Sequence, residues 1–281
     1  EQSEIEKILA SKSRLKTLIK NELIEIKQEF GEERKSPIIG SSSAKVFSEE
    51  ETIVTEPVTI VLSKAGWIRS AKGHEIDPSS LSYRGDDLLQ DFCRGKSNQN
   101  TVFLASNGKA YTLSAHSLPS ARGLGDPITG RISADSGIIF KSCAIGEQED
   151  KYVVSNSAGF GYISDFASMI SNKKSGRAFM KVPEGADVHR VIKYREDHEF
   201  IVAISSIGRM LIFKIEELPF LQKGKGNKII NIPTPKFKSG EESMTHIELL
   251  APESILRIDS GKQHMRLKFK DLQNYISTRA K

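Results

Sequence analysis

A mainly β array of blades, propeller-like and preceded by an amphipathic helix, is the fold this sequence predicts, and three observations predict it. One phrase recurs five times: an apolar run, a small-residue turn centred on glycine, and a second run often carrying basic or aromatic residues. The turn glycines, Gly66, Gly108, Gly159, Gly208 and Gly261, lie 42, 51, 49 and 53 residues apart by subtraction. Such intervals are too long for one hairpin and suit a blade of about four strands. Finally, the 281 residues are 38% hydrophobic and 27% charged, a globular composition with length enough for a large β domain and an extension.

The extension comes first. Ile5, Ile8, Leu9, Leu15, Leu18, Ile19, Leu23, Ile26 and Phe30 recur at three- and four-residue spacings, the period of an amphipathic helix. Gly31 stops it, Pro37 prevents its resumption, and Gly40-Ser41-Ser42-Ser43 followed by Glu49-Glu50-Glu51 reads as a connector. The expected division is a helical arm over 1–35, a linker over 36–51 and a β domain over 52–281. An apolar helix face without a partner in its own segment packs on the β domain, self-associates, or forms one arm of a coiled coil; the last reading is favoured.

The β domain runs through five hairpins in order. They are Ile60 to Arg69 around Gly66, Val102 to Leu113 around Gly108, Tyr152 to Ile163 around Gly159, Phe200 to Phe213 around Gly208, and Ile255 to Leu267 around Gly261. No sixth signature follows, which leaves a ring of about five four-stranded blades that need not close.

Lys plus Arg number 41 against 36 for Asp plus Glu, a net +5 whose meaning depends on where it is concentrated. Pro219 to Gly240 holds five lysines and no acid, and Ser171 to Val182 holds Lys173, Lys174, Arg177 and Lys181, again without an acid. Between the hairpins run Leu118 to Gly125, Asn172 to Arg177 and Leu221 to Lys228, each rich in glycine and basic residues and each at a similar interval after its hairpin. A regular array brings all three to one edge as a basic stripe matched to phosphate backbone. The expected contacts are Arg122, Lys173, Lys174, Arg177, Lys223, Lys225 and Lys228, with Arg69 and Lys72 in the first repeat and Lys262 and Arg266 in the last.

Enzymatic alternatives find no support in the pattern. The histidines at 74, 116, 189, 198, 246 and 264 lack ligand spacing, and Cys93 and Cys143 are too few for a metal knot or a disulfide framework. Lys223 to Lys228 does not match a phosphate loop, and Ser157-Ala158-Gly159 is no nucleophile elbow. Trp67 reads first as an apolar anchor, and the six tyrosines as packing residues in or beside strands. With no leader and no apolar run long enough to span a membrane, the expected location is cytoplasmic.

Several long phrases carry a resemblance. Glu56 to Ser63 with Gly66-Trp67-Ile68-Arg69-Ser70-Ala71-Lys72-Gly73-His74, then Leu118-Pro119-Ser120-Ala121-Arg122-Gly123, then Lys223 to Pro233 resemble the C-terminal domain of the bacterial topoisomerase IV A-subunit family. Phe30-Gly31-Glu32-Glu33-Arg34-Lys35-Ser36-Pro37-Ile38 is similar to the end of that family's coiled coil. The resemblance implies a β-pinwheel whose blades trade strands and hold bent duplex DNA on a basic rim, without base-specific readout, in a chromosome-associated enzyme. It also implies that the catalytic tyrosine, the Mg-binding acids and the ATP site belong to the ATP-binding B subunit or to the rest of the homodimeric A subunit, leaving this segment with neither catalytic site nor cofactor. The related gyrase A subunit carries a wrapping box of glutamine, basic residues and glycines. Here Gln222-Lys223-Gly224-Lys225-Gly226-Asn227-Lys228 holds those ingredients in another order, and Tyr83-Arg84-Gly85-Asp86-Asp87 places acids in the first repeat. The expected role is therefore tuning of relaxation and decatenation; the alternatives are gyrase-like DNA wrapping and a propeller-type platform for protein partners.

Overall fold

The structure, a computed structural model, describes residues 2–32, 54–261 and 263–277, without the side chains of residues 260, 269 and 274. The expected linker over 36–51 and the expected contact Lys262 lie outside the described residues. The chain divides into two compact units, Glu1–Val46 and Phe47–Lys281.

In the first unit the single expected helix is two, α1 (Gln2–Leu9) and α2 (Lys12–Phe30). Ser11 interrupts them with extended backbone, φ −128° and ψ 110°, the conformation of a residue that caps a new helix. No residue of either helix is buried, and Leu9, Leu23 and Phe30 are 60% exposed or more.

The second unit is a series of antiparallel sheets. The first has the order β3 (Leu89–Lys96), β1 (Pro57–Ser63), β2 (Trp67–Lys72), β6 (Asp126–Pro127). The second has β7 (Phe140–Gly146), β4 (Asn100–Ala105), β5 (Lys109–Ser114), β10 (Arg177–Ala178), and the third β11 (Ile192–Tyr194), β8 (Lys151–Ser155), β9 (Phe160–Asp165), β14 (Asn227–Lys228). The fourth has three strands, β15 (Met244–Leu250), β12 (Phe200–Ser205) and β13 (Met210–Lys214); the fifth is the hairpin β16 (Leu256–Ser260) and β17 (Gln263–Leu267). The expectation of about five four-stranded blades is corrected: among the described residues three sheets have four strands, one has three, and the fifth turn signature gives only a two-stranded hairpin. In each of those three the last strand arrives from the following repeat, so neighbouring sheets exchange strands.

Local chemistry explains the repetition. Gly66, Gly108, Gly159 and Gly208 have φ between 78 and 82°, left-handed backbone that joins two strands tightly and that only glycine adopts without strain. A register shift recurs at Leu62/Ser63, Leu104/Ala105 and Ile204/Ser205, marking the same bulge in sheets one, two and four.

Four apolar clusters join the sheets in series. On β4, Phe103 and Ala105 pack toward the first sheet while Val102 and Leu104 pack toward the third. On β12, Ile201 and Ala203 face the third sheet and Phe200 and Val202 the fifth. Period-two alternation therefore buries both faces of a middle sheet, which is why its strands read as continuous apolar runs.

Candidate nucleic-acid interface

Three basic loops occupy one topological place. After β5, β9 and β13 the chain makes a short helical turn, at Ala115–Ser117, Phe166–Met169 and Ile215–Glu217. It then returns to the preceding sheet: Ser120 bridges Ser70, Ser171 N donates to Thr112 Oγ1 (2.9 Å), and Phe220 bridges Ile163. Each loop next passes a left-handed glycine, Gly125, Gly176 or Gly226, and enters an exchanged strand, β6, β10 or β14. That strand is anchored at the hairpin turn by Ile128 N to Gly66 O (2.9 Å), Met180 N to Gly108 O (2.9 Å) and Ile229 N to Gly159 O (2.7 Å). Arg122, Lys173 and Lys223 each stand three residues ahead of the left-handed glycine, so one exposed cation recurs per sheet.

Charge compensation separates these cations from several on the strands and turns nearby. Lys109 pairs with Asp135 (2.7 Å), Arg131 with Asp126 (2.9 Å), Lys141 with Asp187 (2.8 Å), Lys193 with Asp150 (2.6 Å), and Arg209 with the buried Glu242. None of Arg122, Lys173, Lys174, Arg177, Lys223, Lys225 and Lys228 has a carboxylate partner among the described residues. Seven uncompensated charges on three loops exceed the net +5 of the whole chain, so the loops concentrate what the composition dilutes.

The remaining expected contacts fall elsewhere. Arg69 is 4% exposed: one guanidinium nitrogen donates to Gly123 O (3.1 Å), and the group lies 4.7 Å from the centre of the Tyr83 ring. The expectation of a surface contact there gives way to an internal one, because β2 turns both Ile68 and Arg69 inward and Arg69 holds the carbonyl of the first basic loop. Lys72 is exposed but bound to Glu56 (2.8 Å). Arg266 is exposed on β17, away from the three loops in sequence.

Phe160 was not among the expected contacts, yet Lys225 Nζ lies 3.8 Å and Lys228 Nζ 6.0 Å from the centre of its ring. No local signal links residues 65 positions apart by subtraction; the exchanged strand brings them together through the pairing of Lys228 with Phe160.

Chemically the surface offers cations and backbone N–H groups. His74, His189 and His198 spend ring nitrogens on Gly95 O, Ser155 Oγ and Arg195, and Tyr111, Tyr152 and Tyr162 are buried packing residues. No group of three or more His, Cys, Asp or Glu able to hold a metal occurs among the described residues, nor does a helix long and apolar enough to cross a membrane.

No family model matches the chain. Over its full length it is 37% identical to the DNA topoisomerase 4 A subunit of Salmonella typhimurium, 39% to that of Pseudomonas aeruginosa and 38% to that of Escherichia coli K12. It spans little more than a third of the length of those relatives, 37 to 38%. Among solved structures it matches the E. coli ParC C-terminal domain with a TM-score of 0.71 and 39% identity, covering 80% of this chain and 91% of that one. A gyrase A C-terminal domain matches with a TM-score of 0.56 at 12% identity, over 76% of this chain and 72% of that one, a likeness of fold alone.

Proposed function

We propose, from the premise that this chain belongs to the DNA topoisomerase IV A-subunit family over its C-terminal domain, that its second unit is a non-catalytic module holding duplex DNA. The duplex lies across the loops at 121–125, 172–177 and 221–228, and Arg122, Lys173, Lys174, Arg177, Lys223, Lys225 and Lys228 contact its phosphates. One observation carries this reading: seven cations without acid partners among the described residues gather on three topologically equivalent loops, whereas Lys109, Lys141, Lys193 and Arg209 on the neighbouring strands and turns are each bound to an acid. An uncompensated ammonium or guanidinium gains by neutralising a phosphate, while a paired one must first give up its carboxylate.

Three equivalent loops on successive sheets suit a continuous backbone track rather than base-edge readout, since phosphate contacts fix register but carry no sequence information. In the whole enzyme this surface acts on DNA delivered to an active site built by the ATP-binding B subunit with the rest of the homodimeric A subunit, biasing relaxation and decatenation of chromosomes in the cytoplasm. ATP and Mg belong to those other parts. Lys72 and Arg266 add weaker peripheral contacts, and helices α1 and α2 form the end of the coiled coil.

The test is binding of the chain to a duplex of roughly forty base pairs, in two unrelated sequences, across a salt series. A steep loss of affinity with salt and equal affinity for both sequences support the reading. No binding at low salt overturns it in favour of a platform for protein partners.

A further inference from the structure

We infer that Phe160 is a positioning residue: its ring seats Lys225 and Lys228 as a preordered pair of charges for adjacent phosphates. The inference rests on the duplex-binding reading above. Phe160 is the first residue of β9, directly after the turn glycine Gly159, and is half-buried. The residue at the same place in other sheets shows what is unusual here. In the second and fourth sheets it is Lys109 and Arg209, each cancelled by an acid, Asp135 or Glu242. In the first it is Trp67, with the Arg84 guanidinium 5.0 Å from its ring centre. In the third it is Phe160, which holds two ammonium groups at 3.8 and 6.0 Å and neutralises neither.

The distinction matters because an ion pair orders a lysine by removing its charge from use, whereas a ring orders it through the quadrupole and leaves the charge available. Lys228 is fixed further by Nζ donation to Asn231 Oδ1 (2.8 Å) and Ile232 O (3.1 Å). Those acceptors are neutral, so its full charge remains. Ordering before binding lowers the side-chain entropy lost when a phosphate arrives, which makes the third sheet the firmest grip on the duplex.

The full chain is compared with Phe160→Leu, Phe160→Tyr and Lys225→Ala/Lys228→Ala, reading duplex affinity, its salt slope and thermal stability. Phe160→Leu should weaken duplex binding about two- to five-fold, the range of an exposed cation–ring contact, and Phe160→Tyr should restore it. In the Lys225→Ala/Lys228→Ala background the same Phe160→Leu change should have no further effect, which a merely structural role would not produce. An unchanged affinity for folded Phe160→Leu, or an undiminished effect in the lysine-free background, overturns the role of the ring while leaving duplex binding intact. Absence of duplex binding by the unaltered chain overturns the underlying reading itself.

Discussion

Arg190 Nε stands 2.9 Å from Oδ1 of Asp91, tying the chain just ahead of β11, in the third sheet, to β3 of the first. Asp91 is 4% exposed and accepts from four donors: Arg190 and Phe92 N at Oδ1, and Ser142 Oγ (2.6 Å) and Cys143 N (3.0 Å) at Oδ2. Ser142 Oγ in turn accepts from Val191 N (2.9 Å), so one carboxylate coordinates three successive sheets. Burial pushes the Asp91 pKa up, and the Arg190 charge and the Ser142 and backbone donors pull against it. Asp91→Ala leaves several buried donors without an acceptor. It should cost about 3 kcal/mol, seen as a lower urea midpoint at unchanged slope.

Gly226 should tolerate no side chain. Its φ is 77°, and an added Cβ would meet the Gly161 carbonyl oxygen and, at 2.9 Å, the Tyr162 ring. Gly226→Ala should therefore cost about 2 kcal/mol or more and displace the third basic loop. Gly240, also left-handed at φ 76° but with open space around it, should lose only about 1 kcal/mol on the same change. Urea unfolding of the two variants side by side checks the difference.

Acid should weaken the second unit in two steps. Burial holds the pKa values of His189 and His198 below the ordinary imidazole value of 6.5; His246 adds to the effect at His189 and Arg195 at His198, while Asp187, Asp197 and Glu248 oppose it. The unfolded chain therefore binds protons first, and stability falls as pH drops through 6.5, by up to about 1.4 kcal/mol per pH unit for each histidine. Burial alone would push the Glu242 carboxyl up, but the hydrogen bonds and charge of Arg209 hold it below 4.5. Its contribution is present above 4.5 and is lost only as pH falls further. Thermal melts from about pH 8 to about pH 3 should show the first decline flattened in His189→Gln/His198→Gln and the second flattened in Glu242→Gln.

Much of this architecture is legible in the sequence because turn chemistry is local. A glycine forced to φ near 80° announces itself at 66, 108, 159 and 208, and the spacing of the turns gives the sheet count. The exchanged strands are not legible, since β6, β10 and β14 are two residues long and carry no periodicity. The same limit hides the loop geometry: Arg122, Lys173 and Lys223 can be read as basic, but not that Asp135 and Glu242 neutralise Lys109 and Arg209 while nothing described neutralises them. Arg69 reads as a surface cation of the first repeat beside Trp67, whereas β2 buries both Ile68 and Arg69. Ser11 splits the helix although the apolar spacing runs straight through it.

Two triple variants remove equal charge from the two classes of cation. Arg122→Gln/Lys173→Gln/Lys223→Gln takes one unpaired cation from each of three loops, and Lys109→Gln/Lys141→Gln/Lys193→Gln takes three that are bound to acids. The measurement is the slope of log affinity for duplex DNA against log salt. The loop variant should lose about 2.7 from that slope, three contacts at about 0.9 each, and the paired variant less than about one. Equal losses from both variants would show that net charge alone draws the DNA, and would contradict the assignment of the interface to the three loops.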